Sequence, residues 1–138
     1  MKTYKFTAYG EPVAKGRPRF TKAGFTYTPK KTVIAEEAIR LQSLSAKPAV
    51  LIEGPIDLTI TFFRSIPKSF SKKKRKLVDI GQLLPVTRPD LDNCVKTIKD
   101  ALNKVYWNDD SQIVNLVSSK RYSEEPRTEV EVREVGNG

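Results

Sequence analysis

The chain has 138 residues and a net charge of +9, from 25 Lys and Arg against 16 Asp and Glu. It has no histidine and one cysteine, which excludes Ser-His-Asp and Cys-His catalysis, a His-ligated zinc site and an intrachain disulfide. Its length suggests one domain over 1–138, its 38% hydrophobic content is enough for a core, and no apolar run approaches a membrane span.

Residues 3–9, "TYKFTAY", alternate and predict a first strand with Tyr4 and Phe6 on one face. The next stretch, "GEPVAKGRPRFTKAGFTYTP", is rich in Gly, Pro and basic residues and reads as a long loop. From about Lys30 to Ser45, Val33, Ile34, Ala38 and Leu41 recur at helical spacing, and Pro48 follows closely. Residues 55–64 alternate Ile56, Leu58, Ile60 and Phe62 on one face, the clearest strand in the chain. A short helix is expected from Ser71 to Ile80, capped by Ser69 or Ser71 and ended by Gly81. Pro85 and Pro89 keep the next segment extended. A helix over 93–105 presents Val95, Ile98, Leu102 and Val105, and Leu91 extends its stripe upstream. Residues 112–122 read as a strand that starts apolar on both faces, and 127–135 as a last strand carrying Val130, Val132 and Val135. The end, "GNG", is expected as a short frayed tail. The order β-α-β-α-α-β-β predicts an α+β fold, a two-layer domain with helices packed on one mixed sheet.

So basic a balance speaks about partners rather than fold. Nucleic acid is the leading partner. An anionic membrane surface lacks the long basic amphipathic helix that would support it. The N-terminus lacks the apolar core of a signal peptide, and a lone Cys94 fits a reducing cytoplasm. Any metal here would be held by oxygen, which favours magnesium or manganese.

Against this basic background, "RPDLDNCVKTIKDALNKVYWNDDSQI" concentrates acid at two points, Asp90 with Asp92 and Asp109 with Asp110. Each has an ordinary explanation. Asp92 is a good N-cap for the helix at 93–105, and Asp109-Asp110 after Asn108 is turn chemistry. Their joint presence around one amphipathic helix also suits an oxygen-ligated magnesium site for phosphodiester hydrolysis. Local chemistry leaves both readings open. Lys96 lies four residues after Asp92, on the same helical side. It is placed to neutralise a phosphate oxygen or to form an ion pair with Asp92 or Asp100.

The stretch resembles the RusA family of Holliday junction resolvases. The matching parts are Arg88-Pro89, Asp90-Leu91-Asp92-Asn93, Lys96, Asp100-Ala101-Leu102 and Asp109-Asp110-Ser111-Gln112. The likeness extends to "IPKSFSKKKR" before and "SKRYSEEPRTEVEV" after, covering most of residues 55–132, and more loosely to "GRPR" at Gly16–Arg19. The resemblance implies that Asp90, Asp92 and Asp110 bind a divalent metal, Mg2+ with Mn2+ as substitute, and that Lys96 is the catalytic lysine. It implies a homodimer that nicks four-way junction DNA symmetrically in recombination and repair, with no small-molecule cofactor and no membrane. Such resolvases often come from phage-derived genes. The other readings are a non-catalytic basic DNA-binding protein and a branched-DNA nuclease of broader specificity.

A helix over 93–105 is about 20 Å long at about 1.5 Å per residue, with Asp92 at its start and Asp110 beyond its end. Either the chain doubles back, or the acid pairs meet across a subunit interface. Two basic stretches are candidate DNA contacts. One is Lys72, Lys73, Lys74, Arg75 and Lys76; the other is the loop with Lys15, Arg17, Arg19 and Lys22, and Arg88 is grouped with them. Phe20, Phe25 and Tyr27 have two expected uses, stacking on unpaired bases or anchoring the loop to the sheet, with anchoring favoured for Phe20. Trp107 is expected as a core or interface anchor.

Overall fold

The computed structural model describes residues 2–136, so the last two residues of the expected frayed tail lie outside the described range. In chain order the elements are β1 (Thr3–Tyr9), β2 (Arg19–Phe20), β3 (Thr26–Tyr27), α1 (Lys30–Ser43), β4 (Ile56–Ser65), α2 (Lys72–Asp79), α3 (Leu91–Leu102), β5 (Ile113–Ser123) and β6 (Arg127–Glu134). Short 3₁₀ turns follow α1 and precede β5. The expected α+β architecture is present. β2 and β3 form a small hairpin inside the segment expected to be all loop.

The main sheet has the order β1-β6-β4-β5 and is mixed. β4 is central because its alternation is the strictest: Ile56, Leu58, Ile60 and Phe62 are all buried. It pairs antiparallel with β6 and parallel with β5. The parallel pair needs a long crossover, and α2 and α3 fall within it. One sheet face contributes Phe6, Ala8, Val130 and Val132 to the core, and α3 lays Cys94, Val95, Ile98 and Leu102 upon it. Burying one such aliphatic side chain contributes about 1.5–3 kcal/mol. The opposite face carries Lys5, Thr7, Thr59, Thr61, Glu129 and Glu131 and forms a shallow polar hollow.

Three expectations need correction. The apolar stripe of α1, on a helix expected to pack on the sheet, is not covered: Val33, Ile34, Ala38 and Leu41 are exposed. The helix instead buries Thr32 and Ser43 and packs Ile39 against the core. Polar bonds hold it: Gly16 N–H donates to Thr32 Oγ1 at 2.9 Å, Arg40 Nε to the Ala101 carbonyl at 3.3 Å, and Tyr106 O–H to the Ser43 carbonyl at 2.7 Å. Gly16 is needed for this approach, because a Cβ there would lie 2.9 Å from both Pro29 Cγ and Thr32 Oγ1. Second, α3 ends at Leu102 rather than 105, where the chain turns through Lys104 at φ 68° and Lys104 N–H donates to the Trp107 carbonyl. That turn puts Tyr106 and Trp107 wholly inside. Third, Phe20 does not anchor its loop to the sheet: Phe20 and Phe25 are 75% and 71% exposed.

Candidate active site

α3 begins at Leu91, two residues earlier than its sequence suggests. Asp90, not Asp92, is the N-cap residue, in extended conformation, and its carboxylate makes no capping bond. Asp92 lies in the first turn, where its Oδ1 accepts from the Asn93 amide at 3.0 Å. Both aspartates are exposed, and among the described residues neither forms an ion pair. The positive end of the helix favours two carboxylates there. It does not neutralise them, so both remain available to a cation.

Two side chains from the sheet fix the approach to Asp90. Arg64 at the end of β4 donates through Nη1 to Thr87 Oγ1 at 2.9 Å and to the Arg88 carbonyl. Lys120 on β5 donates to the carbonyls of Thr87 at 2.8 Å and Pro89 at 3.0 Å. The Arg88–Pro89 peptide between them is cis. Cys94, beneath this junction, senses the same charges. Its thiol is pushed up to about 11, chiefly by burial, with Lys120 and Arg64 opposing the rise and Asp90 and Asp92 adding to it. Two cations and two free carboxylates therefore surround one turn of α3. Sequence reasoning missed Arg64 and Lys120, because their partners are backbone carbonyls that no motif records.

Asp90 opens onto a groove of about 1000 Å³, lined also by Arg17, Arg19, Lys31, Arg64 and Arg88. Lys31 too was not anticipated. Lys15, expected among the DNA contacts, is turned inward. Its ammonium meets Glu36 at 2.5 Å and Asp100 at 3.0 Å, and its side chain is 21% exposed. Lys96 also meets Asp100, at 2.9 Å, and its side chain is half exposed. Of the two ion pairs open to Lys96, the one with Asp100 forms and the one with Asp92 does not. Burial alone would push the Asp100 carboxyl up, but hydrogen bonds from Lys96 and Lys15 outweigh it and hold it below the usual carboxylate range.

The second acid pair sits at the other end of the strands. Asp109 caps the 3₁₀ turn Asp110–Gln112, its Oδ1 accepting from the Ser111 amide at 3.0 Å. Its carboxyl is held below the usual range, chiefly by the Ser111 backbone. Gln112 closes a capping box and donates to the carbonyls of Ile52 at 2.7 Å and Gly54 at 3.1 Å, just ahead of β4. Asp110 accepts from the Trp107 indole N–H at 2.8 Å. The terminal glutamine of the motif is thus a structural rivet.

β4 and β5 run in parallel from the Asp110 end to the Asp90 end. Seven residue steps along β5, from Ile113 to Lys120, separate the two ends, or about 20–25 Å at about 3.3 Å per residue. No group of three or more metal-ligating side chains assembles among the described residues. One chain therefore brings Asp90 and Asp92 together and leaves Asp110 apart. The candidate DNA contacts of α2 fall toward the Asp90 end of β5. Phe70, just before α2, packs edge-on against Tyr122 with centroids 5.4 Å apart. Ser71 caps α2 by accepting from the Lys74 amide. Lys72, Lys73, Lys74 and Lys76 are exposed, whereas Arg75 is tied to the carbonyls of Phe70 and Pro67.

The family model for "Endodeoxyribonuclease RusA" matches residues 9–133. The chain belongs to the RusA family. It is an endodeoxyribonuclease of that family. It is 46% identical over 140 residues to "Uncharacterized protein YqaN" of Bacillus subtilis (strain 168), covering 98% of this chain and 99% of the relative. It is 37% identical over 101 residues to "Crossover junction endodeoxyribonuclease rusA" of Lactococcus phage r1t, covering 71% of this chain and 70% of that protein. The RusA match spans the basic groove, α3 and the second acid pair together. No helix among the described residues is long and apolar enough to cross a membrane.

Proposed function

We propose that this RusA-family chain resolves four-way DNA junctions by paired symmetric nicks, as a cytoplasmic homodimer whose whole length acts as one nuclease domain in recombination and repair. The observation that carries the reading is a pair of exposed, unpaired carboxylates, Asp90 and Asp92, at a helix N-terminus beside a groove lined with arginine and lysine. The phage relative named as a crossover junction endodeoxyribonuclease supports the substrate.

Asp90 and Asp92 would hold the divalent ion, with Asp110 as third ligand. The all-oxygen donor set and the free state of the first two carboxylates fit magnesium, with manganese as substitute. Held by these carboxylates, such an ion would supply Lewis-acid polarisation of the scissile phosphate and a more acidic water. The chain's own residues do the rest. Arg17, Arg19, Lys22, Lys72, Lys73, Lys74, Lys76 and Arg88 engage backbone phosphates, offsetting the repulsion between the acid site and DNA. Lys15 and Arg75 contribute by holding their segments in place. Lys96, half exposed four residues from Asp92, neutralises a phosphate oxygen when it leaves Asp100. Exposed Phe20, Phe25 and Tyr27 stack on unpaired bases at the junction centre. Because about 20–25 Å of β5 separates the strand's Asp110 end from its Asp90 end, the third ligand comes from the partner subunit. Two equivalent sites related by a two-fold axis suit a symmetric junction.

The test is incubation of the protein with a four-way junction and magnesium, with Asp92→Asn as control. Paired nicks in the parent and none in the control are expected. Equal cutting of linear duplex would point to a branched-DNA nuclease of broader specificity. Absence of incision at every metal concentration would leave a non-catalytic DNA-binding protein. Mixing Asp92→Asn with Asp110→Asn subunits tests sharing: heterodimers with a shared site regain one working centre.

A further inference from the structure

Polar bonds fasten the two ends of α1. The Gly16 amide donates to Thr32 Oγ1 at one end, and the Tyr106 hydroxyl donates to the Ser43 carbonyl at the other. Between these points a cavity of about 510 Å³ lies beside the helix. Its floor is the core itself, the buried Ala8, Phe62 and Ile98. α1 supplies one wall with Ile34, Ala35, Ala38 and Ile39. Residues 10–13 form another, and that wall is pinned. Gly10 N–H donates to the Pro126 carbonyl at 3.1 Å, and Glu11 Oε1 accepts from the Ser65 amide at 3.2 Å. Protein interiors are close-packed, with few voids larger than a water molecule. This hollow instead has the apolar lining, and lies within the range of about 300–1,000 Å³, of small-molecule sites.

The polar groups left free around it are of one sign. Lys30 and Lys31 stand at the rim where α1 begins, and among the described residues neither forms an ion pair. Glu11 is engaged with Ser65. Gln42 is engaged through both ends of its amide, accepting from Tyr9 N–H at 2.8 Å and donating to the Ala38 carbonyl at 3.1 Å. We infer that the cavity is a binding site for a small organic anion with an apolar body, of the class of medium-chain carboxylates. Its chain lies over Ala8, Phe62 and Ile98, and its head meets Lys30 and Lys31. A cation or a neutral molecule of the same shape gains nothing from the two lysines. Lys31 and residues 11–13 also line the groove beside Asp90. An anion held by Lys31 takes that charge from the groove, so anion and DNA oppose one another, each weakening the other by the same factor. This coupling rests on reading the groove as the DNA interface; the anion site does not.

The full chain is titrated with 8-anilinonaphthalene-1-sulfonate, a fluorescent aromatic anion, and the bound dye is challenged with octanoate or octylamine. Displacement by octanoate and not by octylamine is expected. Ala38→Trp blocks the cavity from an exposed helix position and is expected to abolish dye binding with the circular dichroism unchanged. Lys30→Ala with Lys31→Ala is expected to weaken octanoate on the order of tenfold, the combined effect of two exposed ion pairs. Methyl NMR of the parent needs no variant: octanoate should shift Ile34, Ile39 and Ile98 and leave Val114 and Val117 of β5 unmoved. The assignment is overturned if folded Ala38→Trp binds dye as the parent does, if octylamine displaces it equally, or if octanoate moves the β5 methyls instead. Absence of binding by either anion also overturns it and leaves the hollow to an apolar side chain of a protein partner. Junction binding without magnesium reads the coupling. Saturating octanoate is expected to weaken it several-fold in the parent and not in Ala38→Trp. A chain that binds octanoate and no junction keeps the site and removes the DNA reading; one that binds both without interference removes the coupling.

Discussion

Lys120 donates its ammonium to the Pro89 carbonyl at 3.0 Å, so the end of β5 holds the backbone one residue ahead of Asp90. The same ammonium holds the Thr87 carbonyl, and Arg64 holds Thr87 and Arg88 from β4. A rigid sheet thereby sets the position of a carboxylate that begins a helix. Catalytic geometry placed this way tolerates little slack, since a displacement of about 1 Å can cost on the order of a hundredfold in rate.

Lys120→Ala is therefore expected to lower nicking on the order of a hundredfold, at a stability cost of about 1 kcal/mol for the lost hydrogen bonds. The metal dependence separates a positioning role from a merely structural one. The variant should need more magnesium for half-maximal nicking while binding junctions without metal as the parent does. Lys120→Arg should recover part of the loss. Unchanged activity and metal dependence in Lys120→Ala would show that Arg64 alone holds the segment.

The partly buried network of Lys15, Glu36 and Asp100 with the half-exposed Lys96 makes a pH prediction. Hydrogen bonds from Lys96 and Lys15 outweigh burial and hold the Asp100 carboxyl below the usual carboxylate range. A carboxyl lowered on folding contributes stability that is full above its unfolded pKa and lost as pH falls through the folded one. For Lys15, burial pulls the ammonium down, but its bonds to Glu36 and Asp100 outweigh this and raise it above 10.5. Its contribution is full below that pH and lost as pH rises through the folded value. Urea midpoints of the parent and Asp100→Asn should differ at neutral pH and converge at the acid end. Parallel curves down to the lowest pH would show that the Asp100 charge contributes nothing.

Cys94 should behave as an inert core thiol. It is fully buried, and burial pushes its pKa up to about 11. A thiolate is the reactive form, so a disulfide reagent near pH 8 should label it only as fast as the chain unfolds. Labelling in native buffer as rapid as in urea would place the thiol at the surface.

Much of this arrangement was legible in the sequence, for identifiable reasons. The β4 alternation and the α3 stripe are periodic patterns whose apolar side has one place to go, and both are buried as expected. The α1 pattern shows the limit of that logic. Periodicity reports that Ile34, Ala38 and Leu41 share a side, not that anything covers it. The helix start moved from Asp92 to Asp90 because the extended lead through Pro89 ends where the backbone turns helical. Helix length raises the question of how the acid pairs meet and leaves open both a chain that doubles back and a shared interface. Arg64, Lys120 and the anchoring role of Gln112 were not legible, since each acts on backbone carbonyls distant in sequence.

Trp107 and Asp110 give the sharpest separation of fold from chemistry. The indole N–H donates to Asp110 Oδ1 at 2.8 Å, and Trp107 is fully buried. An amide oxygen can accept that bond as a carboxylate does, so Asp110→Asn keeps the contact and removes only the charge. Its thermal midpoint should stay close to the parent's while metal-dependent nicking disappears. Trp107→Ala removes the buried ring and should cost about 3–5 kcal/mol, lowering the midpoint by many degrees. Differential scanning calorimetry of both variants, alongside junction cleavage, checks the pair. A large loss of stability in Asp110→Asn would make its charge part of the fold and remove the argument that it is held free for a metal.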